Sequence, residues 1–135
     1  MLDLPQIREA IGSGRRAALL LRHSERPPIR TDDKEFGRTL GLTPRGIEMA
    51  RAAGAHLAGL GDARFFASPM ARCRLTARHM AEGMGLPEAT VTDADPLGVR
   101  GFYYEDCYAV QEQMRQRGYM AFMLDYLRDG TAPHS

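Results

Sequence analysis

The chain has 135 residues, of which 44% are hydrophobic and 26% charged, with a formal net charge of +1. That length supports one domain with a real core, and no apolar run approaches the roughly 18 residues a membrane span needs. The two cysteines, Cys73 and Cys107, lie far apart without a CxxC partner, which excludes a disulfide framework and a zinc site.

The N-terminus, MLDLPQIREAIGSG, lacks the basic-then-apolar order of a signal peptide. The expectation is a soluble, cytoplasmic protein with no membrane partner. Residues 4–12 read as a short helix ended by Gly12-Ser13-Gly14. Arg16 to Arg22 (RAALLLR) has an apolar centre bounded by Gly and Pro and reads as a fully buried strand of a parallel sheet. Residues 27–41 read as loop. Thr43-Pro44 opens a helix, with Thr as N-cap and Pro at the first helical position; Ile47, Ala50, Gly54 and Leu57 follow at helical spacing. Arg64 to Ala67 reads as a second strand, stopped by Ser68-Pro69.

Met70 to Gly83 reads as a second long helix with Cys73, Ala77, Met80 and Met84 on one face. Cys73, Phe65, Phe66 and the methionines are expected in the core. Thr90 to Thr92 gives a third strand, residues 94–105 an irregular loop, and 106–128 one long final helix with Met114, Ala121, Phe122 and Leu124 among its core candidates. Alternating strands and helices in this order argue for an α/β sandwich with a mainly parallel sheet, in a single domain over residues 1–135. In such sheets ligands bind outside the carboxyl ends of the strands. Arg22-His23 and Ser68-Pro69, with Arg72 close behind, mark two such ends.

Placed side by side, those ends bring Arg22, His23, Arg26 and Arg72 to one pocket. Residues 1–78 hold 13 Arg and one Lys against eight acids, a balance of +6; residues 79–135 hold four Arg against nine acids, a balance of −5. Three guanidiniums around one imidazole make a poor structural core, because unpaired buried charge costs several kcal/mol. They make sense around a multiply charged anion, and phosphate matches the guanidinium fork best. A neutral imidazole nitrogen can attack phosphorus to give a phosphohistidine, while arginines neutralise the equatorial oxygens. No cofactor and no metal is called for. Nucleic acid is not expected as a partner, since the arginines are scattered and no aromatic residues interleave with them. His56 falls opposite the apolar face of its helix, and His79 sits two turns from Arg72; neither is expected to be a ligand. Arg74 and Arg78 read as surface residues.

Three blocks carry a resemblance to a known family. Leu21-Arg22-His23-Ser24-Glu25-Arg26-Pro27-Pro28 resembles the signature of the histidine phosphatase superfamily, the phosphoglycerate mutase-like fold, with Ser24 where the usual Arg-His-Gly has glycine; Arg26 and Pro28 also resemble the acid phosphatase branch. Leu42-Thr43-Pro44-Arg45-Gly46 resembles the family's LTxxG helix start. Ser68 to Ala77 resembles its SxxxRxxxTA block. The resemblance implies a three-layer sandwich, His23 as phosphorylated nucleophile, and Arg22, Arg26 and Arg72 as phosphate ligands. It also implies a proton donor from the loop DADPLGVRGFYYEDC, with Glu105 or Asp106 as the candidates. The implied activity is metal-independent hydrolysis of a phosphorylated small molecule or phosphoprotein. Family members carry a second histidine on a later strand. His134 follows no apolar strand, so that strand is expected to be missing and the chain to be a truncated member. A bare sheet edge would then favour self-association into a homo-oligomer. The alternative reading is a weak or inactive phosphate-binding, self-associating member.

Overall fold

The computed structural model describes residues 4–30, 32–33, 35, 37–97 and 107–129. The chain divides into two compact units, Met1–Ala94 and Asp95–Ser135. In the first unit, α1 (Leu4–Gly12) ends where Gly14 takes φ +79°, a conformation that glycine adopts without strain. The Arg8 guanidinium donates to the carbonyls of His56 at 3.1 Å and Ala58 at 3.3 Å. These carbonyls lie at the C-terminal end of α2 (Pro44–His56), where a cation meets the negative pole of the helix.

The start of α2 is fixed as its sequence implies. Thr43 keeps an extended backbone, and its hydroxyl accepts the Gly46 N–H at 2.9 Å, satisfying one of the orphan donors of the first turn. Pro44, which has no N–H to satisfy, occupies the first helical position.

The core forms where α2 packs on α3 (Ala71–Gly83). Ala50, Leu57 and Met80 are buried at its centre, with Leu60, Phe65 and Met84 packed around them; burying a side chain of the size of Leu or Met contributes about 1.5–3 kcal/mol. Glycine lets the two backbones approach. A Cβ at Gly54 would stand 2.0 Å from the Met80 carbonyl oxygen, and one at Gly83 would stand 2.0 Å from that of Arg51.

The strands β1 (Phe65–Ala67) and β2 (Val91–Asp93) pair in parallel, Phe65 opposite Val91 and Ala67 opposite Asp93, with α3 as the crossover between them. Parallel strands require such a crossover, and the unit is the α/β arrangement expected from the alternation of elements.

Several expectations need correction. Residues 16–22 are not a buried strand: the whole segment 15–30 has no regular structure, and Leu20 is 86% exposed. Among the described residues the sheet consists of β1 and β2 alone, so the leucine run has no ladder partner to cover it. Phe66 points outward from β1 and is largely exposed, as are Met49 and Met120. The buried stripe of α3 is Thr76, Met80 and Ala81, while Cys73 and Ala77 are half-buried.

The second unit is a helical pair rather than one long helix. The helices α4 (Cys107–Arg117) and α5 (Tyr119–Asp129) pack on each other across Gly118, whose φ of +83° ends the first helix. Val110 and Phe122 are its most buried side chains; Leu124 and Ala121 are exposed. No described helix is long and apolar enough to cross a membrane.

Candidate functional site

The segment that carries Arg22, His23 and Arg26 is positioned by hydrogen bonds rather than by a strand ladder. The Ser24 N–H donates to Thr76 Oγ1 on α3 at 2.9 Å, and the Ser24 hydroxyl donates to the Gly46 carbonyl on α2 at 2.8 Å. The Glu25 carbonyl accepts the Thr43 N–H at 3.1 Å, and Glu25 Oε1 accepts the Thr43 hydroxyl at 2.7 Å. The Glu25 carboxylate therefore faces the start of α2, with Arg45 at 3.6 Å. Its place among the ionisable groups of the RHSER run is that of a fastener. Gly46 is buried because the backbone of Glu25 lies against it: a Cβ there would meet the Glu25 carbonyl oxygen at 2.1 Å.

His23 is half-buried, and its Nδ1 lies 2.8 Å from the Ser24 carbonyl oxygen. A carbonyl only accepts, so Nδ1 carries the hydrogen and the neutral ring keeps its lone pair on Nε2. The ring is thereby held in the tautomer whose free nitrogen is a nucleophile.

Arg72 lies in the first turn of α3 and is half-buried. Its Nη1 donates to the Gly37 carbonyl at 2.8 Å. That carbonyl is presented by a turn in which the Asp33 carboxylate accepts the N–H groups of Glu35 at 2.9 Å and Gly37 at 3.0 Å. One residue on, the Arg38 carbonyl accepts the Ala71 N–H at 2.9 Å, so the same turn holds both the guanidinium and the helix that carries it. Burial pushes the Arg72 pKa down; the positive charges of Arg26 and Arg22 push it the same way, against an opposing pull from the Cys73 sulfur. Arg26 Nη1 donates to the Pro27 carbonyl at 2.8 Å, while its buried Nε has no hydrogen-bond partner among the described residues.

The residues expected at the site thus fall into two groups. The charges of Arg22 and Arg26 reach Arg72, and His23 is tied through Ser24 to Thr76, one turn along the helix that carries Arg72. Glu105, Asp106 and His134 lie outside the described residues. The hydroxyls of Ser24 and Thr76 were not singled out from the sequence. Thr76 was readable in principle, since it follows Arg72 by four residues and shares its helix face.

A concavity of about 430 Å³ is lined by Arg74, Arg78 and the Pro87–Val91 segment, and none of the expected site residues borders it. Both arginines there are engaged: Arg74 Nε donates to Asp93 at 2.6 Å, and Arg78 lies 3.8 Å from Glu82. His79 lies 2.8 Å from the same Glu82 carboxylate, one turn along its own helix, and His56 is exposed.

Comparison with known proteins gives the family. The model of the histidine phosphatase superfamily (branch 1) matches residues 18–95, more than half of the chain. The matched region contains the RHSER segment, the capped start of α2 and the first turns of α3. No curated protein matches the chain. The chain belongs to the histidine phosphatase superfamily, and its small parallel sheet with a helical crossover fits the α/β, phosphoglycerate mutase-like fold of that family. Phosphatase- or mutase-like chemistry follows in general terms from that membership.

Proposed function

We propose that the protein is a metal-independent phosphomonoesterase that works through a phosphohistidine on His23. In the first half-reaction the Nε2 lone pair attacks phosphorus in line with the ester oxygen. The P–N bond forms, the P–O bond breaks, and the leaving oxygen takes a proton from an acid, for which Glu105 and Asp106 are the candidates. In the second half-reaction water attacks the phosphorus and gives its proton to that carboxylate; the P–N bond breaks and inorganic phosphate leaves. Arg22, Arg26 and Arg72 bind the phosphoryl oxygens and neutralise the charge that builds on them. The phosphorylated substrate is a small molecule or a phosphoprotein.

What supports this reading is an imidazole whose Nδ1 is occupied by a carbonyl, on a segment tied through Ser24 to the helix of Arg72, whose guanidinium feels the charges of Arg26 and Arg22. Like charges repel, and a dianionic phosphate placed among them reverses the sign of that energy. The test is hydrolysis of p-nitrophenyl phosphate in the presence of a chelator by the wild type and by His23→Ala. The expected loss on substitution is on the order of 10³-fold or more. Equal rates for the two proteins would remove His23 from the mechanism. Phosphate binding without turnover in the wild type would replace the enzyme by a phosphate-binding domain.

A further inference from the structure

We infer that Thr76 is a positioning residue that sets the His23 ring relative to the arginine cluster; this rests on the phosphohistidine reading above. Thr76 is one of the two polar residues that are buried among those described, at 8% exposure. Its hydroxyl accepts the Ser24 N–H at 2.9 Å and donates to the Arg72 carbonyl at 2.7 Å. A hydroxyl has a single hydrogen. An N–H donor on one side and a carbonyl acceptor on the other leave only one assignment of that hydrogen.

Threonines inside helices often bond the carbonyl four residues back, and that half of the arrangement needs no functional account. The other half does. The lone pair of Thr76 is spent on a backbone amide 52 positions away in sequence, adjacent to His23. Ser24 uses all three of its polar groups: its N–H on α3 through Thr76, its hydroxyl on α2 through Gly46, and its carbonyl on His23 Nδ1. The imidazole thus rests on a residue clamped between two helices, and the α3 clamp lies one turn beyond Arg72. The segment has no strand ladder of its own, so among the described residues the Thr76 hydroxyl is the bond from α3 that fixes the His23–Ser24 peptide, on which both the ring and the carbonyl that holds it depend.

The experiment compares Thr76→Val, which keeps the shape and loses the hydroxyl, with Thr76→Ser, which keeps the hydroxyl. Three quantities are read: kcat and KM for p-nitrophenyl phosphate, the affinity for inorganic phosphate, and the ¹⁵N shifts of the His23 ring. Thr76→Val is expected to lower kcat by roughly 100-fold, the scale of a misplaced reacting group. KM and phosphate affinity should stay within about threefold, because the guanidiniums remain. The ring nitrogens, distinct in the wild type, should move toward a common averaged shift. Thr76→Ser should restore both kcat and the ring spectrum. A wild-type kcat and unchanged ring shifts in Thr76→Val would overturn the inference, as would equal impairment in Thr76→Ser. If Thr76→Val does not fold, the Ser24 amide of the wild type decides. Protection from hydrogen exchange supports the clamp, and exchange at the rate of an open loop overturns it. An active His23→Ala protein would sink the phosphohistidine reading alone, since the ring shifts and the Ser24 amide report on the clamp without turnover.

Discussion

Helix α3 and the segment of residues 15–30 each supply part of the candidate site, and they are held in unlike ways. Arg72 and Thr76 sit on a helix whose own ladder, glycine contacts with α2 and buried Met80 fix it independently of any ligand. Arg22, His23 and Arg26 sit on a segment with no regular structure, whose leucines face solvent and whose place is set by bonds from Ser24 and Glu25 to the start of α2 and the second turn of α3. A packed helix resists displacement through many small contacts. The segment resists through few, each of them directional. The comparison teaches that loss of fold and loss of site alignment are separable: changes in the α2–α3 seam should cost stability first, and changes in the polar fasteners should cost alignment first.

The largest effect should come from Gly54→Ala. The new methyl would stand 2.0 Å from the Met80 carbonyl oxygen. Alanine gains about 1 kcal/mol of helix propensity over glycine, but a backbone clash of this kind costs roughly 3 kcal/mol or more. Chemical denaturation should show the midpoint falling; an unchanged midpoint would mean that the seam is looser than described. Next in size, Thr43→Ala removes the acceptor for Gly46 N–H and the donor to Glu25, and should cost about 1 kcal/mol. Its activity should fall by more than that loss of stability explains, because the same residue fastens the chain next to His23.

The smallest effect is electrostatic. His79 and Arg51 hydrogen-bond the Glu82 carboxylate and hold its pKa below the ordinary glutamate value, with His79 the larger influence. A carboxylate lowered in the folded state stabilises above its unfolded pKa, and that contribution fades as the pH falls through the folded value. The melting temperature of the wild type should therefore exceed that of Glu82→Gln at neutral pH and converge with it in acid. Curves that stay parallel would remove the carboxylate from the seam.

Much of this was legible in the sequence because it follows from short-range chemistry. Thr43-Pro44 announced a capped helix, Gly12-Ser13-Gly14 ended another, and Ser68-Pro69 closed β1. The failures have a common cause. Leu19-Leu20-Leu21 is hydrophobic enough for a buried strand, but whether a strand is buried depends on neighbours that periodicity does not name. Gly118 fits inside a helical pattern at a modest cost, and its left-handed φ is visible only in the structure. Thr76 was passed over because a polar residue is not counted as core, although its hydroxyl is satisfied on both sides. At the site, Arg22, Arg26 and Arg72 were readable from the sequence as candidates, whereas the fasteners on Ser24 and Glu25 needed coordinates.

The paired glycines of the α2–α3 seam have one more consequence. Every replacement of a glycine is an enlargement, so Gly54 and Gly83 offer no graded series of neighbours through which a gene can drift. Each is pinned by a main-chain oxygen that no change of side chain can move out of the way. Substitution should therefore be accommodated at the exposed leucines and the outer helix faces and refused along the line where the two helices touch.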